Sequence, residues 1–171
     1  MVVALVTTAI AVIGTLMGAI VSGRFQERAS ERAAKASHGE AIRRDCLEAV
    51  TALACAASDH RTAMWMRGDA LLKNASAERV EDLRGESHLT RRAVTRPLVV
   101  LRVLIEDQAV RGAADRMLTL TYAIRQVLAT TEELAGTERD AAKQRLTEAR
   151  DAARAAHDDF VDVAARYLRA A

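Results

Sequence analysis

The chain of 171 residues is long enough for one domain of ordinary size and a short additional segment. Half of its residues are apolar, only 3% are aromatic and 36 are alanine, a composition that favours closely packed helices over a sheet. The net charge of +2 is too small for strong sequence-independent binding to nucleic acid, so a nucleic-acid partner is not expected.

The amino-terminal segment carries no charge over 22 residues, from Val2 to Gly23. As a helix it would be about 33 Å long, enough to cross a hydrocarbon core of about 30 Å. A cleaved secretory signal is the alternative, but such signals begin with a basic region and none precedes this run. The sequence therefore predicts a single transmembrane anchor at residues 1–23.

A basic segment follows directly, and we interpret residues 24–37 as a juxtamembrane helix. Its cations are Arg24, Arg28, Arg32 and Lys35. Positive charge behind a span favours the cytoplasmic side, so we predict a single-pass protein of the cell membrane with a cytoplasmic carboxyl-terminal domain. The same cations can contact acidic lipid headgroups, which makes membrane lipid an expected partner, although Glu27 and Glu31 halve the local charge.

Gly14 and Gly18 form a small-xxx-small pair within the predicted span. Such a pair lets a second helix approach closely in the membrane. We therefore predict packing at these glycines, in a homo-oligomer or with a membrane-protein partner. An ordinary unpaired anchor is the alternative, because small residues are common in single spans.

The remaining residues, 38–171, predict a helical bundle. A helix from the membrane exit should end near Lys73, and a bend near residues 37–39 is left open. Apolar or small residues recur on it in steps of three and four, which indicates one buried face. These residues are Ile42, Cys46, Ala49, Leu53, Ala56, His60 and Ala63. Cys46 and Cys55 are nine residues apart on this helix and cannot form a disulfide with each other.

Three further helices are predicted after a turn at residues 74–77. Ser76 is suited to cap the first, in which Pro97 should cause a kink or a restart. The valine-rich run Leu98–Ile105 is interpreted as helix, with a strand as the alternative. Asp107 should cap the next helix, which should end near Gly136, and a heptad pattern predicts the last. The fold class is therefore all-α, a transmembrane helix followed by an antiparallel bundle of about four helices.

No residue cluster indicates catalysis, a metal or a cofactor. The four histidines lie in separate segments without a recognised ligand spacing, and no glycine-rich phosphate loop occurs. We therefore expect no enzyme, no metal and no cofactor. His60 beside Asp59 could act as a proton-sensitive switch, but a buried histidine with satisfied hydrogen bonds is the favoured alternative.

Met64, Trp65 and Met66 are adjacent, and adjacent positions on a helix cannot all face one core. At least one of the three should point outward. Trp65 and Met66 are therefore candidate partner contacts, since Trp and Met are enriched at interfaces. Burial against the turn before Ser76 is the alternative.

Several stretches together resemble small streptomycete membrane proteins of the KilB type, most of them uncharacterised. The stretches are Ala11 to Gly18, Phe25-Gln26, Glu31-Arg32, Leu98 to Ile105 and Asp159-Phe160-Val161. The resemblance implies an actinobacterial, membrane-associated helical protein that acts through protein contacts. KilB-type proteins are implicated in the spread of conjugative plasmids through the mycelium, and the resemblance supplies no catalytic residue.

The leading hypothesis is a non-enzymatic, membrane-tethered helical interaction protein, in plasmid transfer and spread or in another membrane assembly. The first alternative is a membrane-perturbing or pore-forming oligomer that assembles through Gly14 and Gly18. The second is a sensor whose bundle binds a small apolar ligand, which requires a suitable cavity.

Overall fold

The computed structural model describes residues 2–129 and 137–170, with side chains for residues 22, 24, 26–28, 30–128 and 138–170. The described residues form four α-helices and no strand, which confirms the predicted all-α class. The helices are α1 (Val2–Leu72), α2 (Ala77–Leu104), α3 (Gln108–Ala129) and α4 (Thr137–Ala170).

The chain divides into two compact units, and the boundary lies inside α1 between Ile42 and Arg43. Among the described residues no helix is both long enough and apolar enough to cross a membrane. Most of the predicted anchor, residues 2–21, lies outside the residues whose side chains are described. The structure therefore gives the predicted transmembrane helix no support. The anchor and the domain boundaries of the sequence analysis stay predictions.

The turn between α1 and α2 has the form that the sequence predicts. Asn74 adopts a left-handed backbone conformation, with φ of 52°. Its N–H donates to the carbonyl of Leu71 at 3.2 Å, and the next N–H donates to the carbonyl of Ala70 at 3.0 Å, so α1 ends in a Schellman motif. The Ser76 hydroxyl then accepts from the backbone N–H of Arg79 at 3.3 Å, which confirms the predicted cap of α2.

Asp107 caps α3, also as predicted, because its carboxylate accepts from the backbone N–H of Val110 at 2.9 Å. One turn on, Arg111 donates through Nε to the carbonyl of Ile105 at 2.7 Å and through its guanidinium to the carbonyl of Arg102 at 2.6 Å. These bonds satisfy carbonyls at the end of α2 that helical geometry leaves without partners. The predicted end of α3 near Gly136 lies outside the described residues.

Pro97 lies inside α2, which continues without a break from Ala77 to Leu104. The proline therefore does not split this helix. The alternative of a strand at Leu98–Ile105 is wrong, because only Ile105 is extended and its N–H still donates to Leu101.

Contacts between neighbouring helices show that α1 and α2 run antiparallel. The Cys46 thiol lies 3.9 Å from the carbonyl of Leu104, while His60, further along α1, meets Thr90, further back along α2. Both cysteines are free, and Cys46 is buried whereas Cys55 is exposed.

The same reasoning gives the direction of α4. His157 Nε2 lies 3.2 Å from the carbonyl of Ala54, and Gly68 faces Leu146, so α4 runs antiparallel to α1. Arg116 of α3 pairs with Asp159 of α4 at 2.8 Å. His157 is half-buried because it connects α4 to α1.

The core lies along the faces that the apolar spacing indicates. Ile42 is the clear error, because 47% of it is exposed, whereas Val50 and Ala57 are buried instead. On α3 the residues that recur in alternating steps of four and three are all buried: Val110, Ala114, Met117, Thr121, Ile124 and Leu128. Phe160 of α4 is fully buried in the larger of two core clusters.

His60 is the polar residue that α1 buries most deeply, with 3% exposed. Its Nδ1 lies 3.1 Å from the hydroxyl of Thr90, which in turn donates to a backbone carbonyl of Glu86 or Ser87. The hydroxyl has one proton, so it accepts from Nδ1–H and selects one neutral tautomer. Burial, and then the positive charge of Arg91, lower the pKa of His60 from 6.5 to about 4.

The close approach of three helices at Gly68 gives a first prediction. A Cβ added there would lie 2.5 Å from Leu146 and 2.7 Å from Leu128, whereas Gly85 on α2 has open space around it. We expect Gly68→Leu to lower the free energy of unfolding by about 1–3 kcal/mol through overpacking. Gly85→Leu should raise it by up to about 1 kcal/mol through helix propensity. Urea denaturation measures both, and equal effects would contradict the packing.

The buried His60 gives a second prediction. Because its pKa is lower in the folded than in the unfolded chain, its contribution to stability is complete above about pH 6.5 and is lost as the pH falls towards about 4. Between about pH 7.5 and about pH 5, urea denaturation should show the wild type losing about 2 kcal/mol more than His60→Gln. His38→Gln retains His60 and changes an exposed side chain, so it should behave as the wild type. Parallel pH profiles for wild type and His60→Gln would refute the assignment.

Candidate functional site

The predicted basic segment lies on the part of α1 that belongs to the first unit. All four of its cations are exposed, as are Glu27 and Glu31. Their spacing of three and four residues aligns the cations along one side of the helix. The cations are Arg24, Arg28, Arg32 and Lys35. Their predicted contact with lipid headgroups stays a prediction, as does packing at Gly14 and Gly18, which lie outside the residues with described side chains.

The three large residues near the end of α1 face different directions. Met64 is buried in the smaller core cluster, whereas 42% of Met66 is exposed, so one residue does point outward as predicted. Trp65 is half-buried, and the guanidinium of Arg150 from α4 lies 4.3 Å from its ring centroid. Trp65 is therefore largely occupied by contacts within the bundle, and Met66 is the more accessible of the two candidates.

A more prominent apolar surface lies on α2 and was not singled out from the sequence. Val99, Val100 and Val103, here called the valine ridge, are 56%, 38% and 73% exposed. They are exposed because Val94 and Leu101 already occupy the core face of α2. The valine-rich composition that made a strand an alternative thus belongs to a helix that is apolar on two faces. The presence of apolar residues on two faces of one helix is the sequence pattern that could have predicted this exposed surface.

A groove of about 480 Å³ runs beside the valine ridge, between α1 and α2. Small and apolar side chains line much of it, while Asp45 and Glu48 stand on the α1 side and Arg96 on the α2 side. The other lining residues are Ala49, Ala52, Pro97, Val100 and Leu104. One continuous surface of the bundle therefore carries an apolar projection, an apolar recess and charges of both signs.

Within residues 2–129 and 137–170, no group of three or more histidine, cysteine, aspartate or glutamate side chains could hold a metal ion. The histidines at 60 and 157 are each committed to contacts between helices.

Comparison with known proteins identifies the family. The model of a family described as KilB plasmid transfer protein matches residues 47–168, which include the valine ridge and nearly all of the groove. Protein KilB of Streptomyces lividans is 41% identical over 162 residues, covering 95% of this chain and 97% of that protein. No solved structure matches the chain. Both matches extend over most of the bundle, and the resemblance read from the sequence is confirmed: the chain belongs to the KilB family of plasmid transfer proteins.

Proposed function

We propose that this chain is a membrane-tethered helical interaction protein in plasmid transfer or spread, and that its bundle associates with a second copy through the valine ridge and the adjacent groove. The family match supports the plasmid-related role. The exposed valine ridge is the observation that carries the interaction, because it is an apolar surface that no other described side chain covers.

Exposed valines on a helix favour an interface for two reasons. Scattered apolar residues are normal on a surface, but Val99 and Val103 lie one turn apart and continue into an apolar groove at Val100. Valine is also a poorer helix former than the alanine or arginine that dominates this chain. Burial against a partner would remove this apolar area from water.

The occupant that fits this surface is a second copy of the chain. In a two-fold symmetric dimer each copy contributes the same patch, so the projection of one meets the recess of the other. The charges of the groove suit this arrangement, since Asp45 and Glu48 stand opposite Arg96 across it. Two-fold symmetry would allow Arg96 of each copy to approach the acidic side of the other.

The tether is the uncharged segment from Val2 to Gly23, followed by the exposed cations from Arg24 to Lys35. The alignment with Protein KilB of Streptomyces lividans covers 162 of the 171 residues, which leaves about nine residues outside it. It therefore includes most of the uncharged segment. Confinement to a membrane would raise the effective concentration of the bundles, so a modest interface would suffice for association.

Membrane tethering is tested by fractionating cells that express the full chain or a chain lacking residues 2–23. We expect the full chain to sediment with membranes and resist extraction by high salt, because hydrophobic insertion is not screened by ions. The shortened chain should be recovered in the aqueous fraction. Protease added outside intact cells should leave the bundle intact if it is cytoplasmic. A full chain recovered from the aqueous fraction without detergent would contradict the tether.

The role of the valine ridge is tested by the double variant Val99→Ser/Val103→Ser. Since both side chains are exposed, the free energy of unfolding should change by less than about 1 kcal/mol. Self-association, measured by analytical ultracentrifugation in a non-ionic detergent, should weaken by about tenfold or more. Plasmid spread should fall with it.

The matched control is Val161→Ser, an exposed valine on α4, and it should preserve association and plasmid spread. Unchanged association in the double variant would contradict the proposed dimer surface. A double variant that loses plasmid spread while the wild type is already monomeric would point instead to a different membrane-protein partner.

A further inference from the structure

A small cavity of about 30 Å³ lies inside the bundle where α1, α2 and α3 meet, separate from the valine ridge. It has room for on the order of two water-sized groups. Arg91 and Arg125 are exposed, so solvent can reach it. The lining residues are His60, Met64, Arg67, Ser87, His88, Arg91, Tyr122 and Arg125.

The lining of this cavity is biased towards positive charge. Each of the three helices contributes one arginine, and no described lining residue is acidic. His60 and Ser87 form polar, deeply buried parts of the wall, at 3% and 4% exposed. Spacings of three and four residues direct these side chains to a common side of each helix.

Neither Arg91 nor Arg125 forms an ion pair with another residue whose side chain the structure describes. The guanidinium group of arginine presents several N–H donors in a planar fork that matches the oxygens of a phosphate.

Aromatic contacts hold part of this wall in position before any ligand binds. The guanidinium of Arg91 lies 5.1 Å from the centroid of the Tyr122 ring. His60 packs edge-on against the same ring, with centroids 5.5 Å apart and planes at 62°. Burial raises the pKa of Tyr122, and the positive charge of Arg91 opposes this rise. For His60, burial and then the charge of Arg91 both lower the pKa. Arg91 is thus restrained, and its field reaches the buried wall.

We propose that this cavity binds a small phosphate-type oxyanion, either free or as the terminal phosphoryl group of a small metabolite. Arg91 and Arg125 would donate charge-assisted hydrogen bonds to its oxygens. The small volume and the three guanidinium groups fit this ligand better than the apolar molecule of the sensor alternative. The inference does not depend on membrane tethering or on the dimer.

The test uses the full chain in a non-ionic detergent, with thermal unfolding followed in potassium phosphate and in potassium chloride at equal ionic strength. Phosphate also stabilises folded proteins in general, because it is excluded from their surface. Binding at the cavity should therefore appear as an additional rise of the midpoint over chloride that Arg91→Gln and Arg125→Gln remove. Broadening of the phosphate signal in ³¹P NMR should report the same binding. A nucleoside monophosphate, compared with its nucleoside, separates a phosphoryl group on a metabolite from free phosphate.

Arg91→Gln and Arg125→Gln should each weaken phosphate binding by at least about tenfold. The control is Arg92→Gln, which removes an exposed arginine of α2 that does not line the cavity. This variant should bind phosphate as tightly as the wild type does. Arg125→Lys should retain part of the affinity, since it keeps the charge but not the paired donors. Equal midpoints in phosphate and chloride, or equal losses in all three glutamine variants, would overturn the proposal.

Discussion

The burial of one continuous side of α1, from Cys46 to Ala70, is the constraint on which the bundle depends. That side meets α2 at Cys46, α4 at Ala54, and both α3 and α4 at Gly68. Small side chains on α1 let the other helices approach closely, which buries larger residues such as Phe160 and Leu146 on the partners. The core therefore mixes small and large residues: α1 buries Leu53 and Met64 beside its alanines, and α4 buries Ala153 beside Phe160.

The same constraint explains where polar and apolar residues depart from the usual pattern. His60 lies on the buried side of α1, where its polar ring needs a hydrogen-bond partner. The neutral imidazole finds this partner in the hydroxyl of Thr90. The groups around it then enclose an arginine-rich cavity. On α2 the core face is filled by Val94 and Leu101, so the neighbouring valines have no position left inside. A ridge available for association is the result.

Family membership and geometry answer different questions about this protein. The match to KilB identifies a family of plasmid transfer proteins. The structure adds the valine ridge, the groove and the cavity, which the family match alone does not reveal. Fold alone does not determine function, so the arguments for association and for an oxyanion rest on particular groups. The valine ridge and the cavity lie on different parts of the bundle, and each can be altered by substitutions that leave the other intact.

The sequence by itself determined the helical class, both helix caps at Ser76 and Asp107, and the buried positions of α3, because these follow from local hydrogen bonding and a regular apolar period. It also identified the family through its own residues. It could not decide that Val99 and Val103 are exposed while Val94 is buried, or that His157 reaches Ala54. It also could not show that arginines from three helices surround one cavity. Those facts depend on how the helices rotate against one another, and many distant side chains set that rotation together.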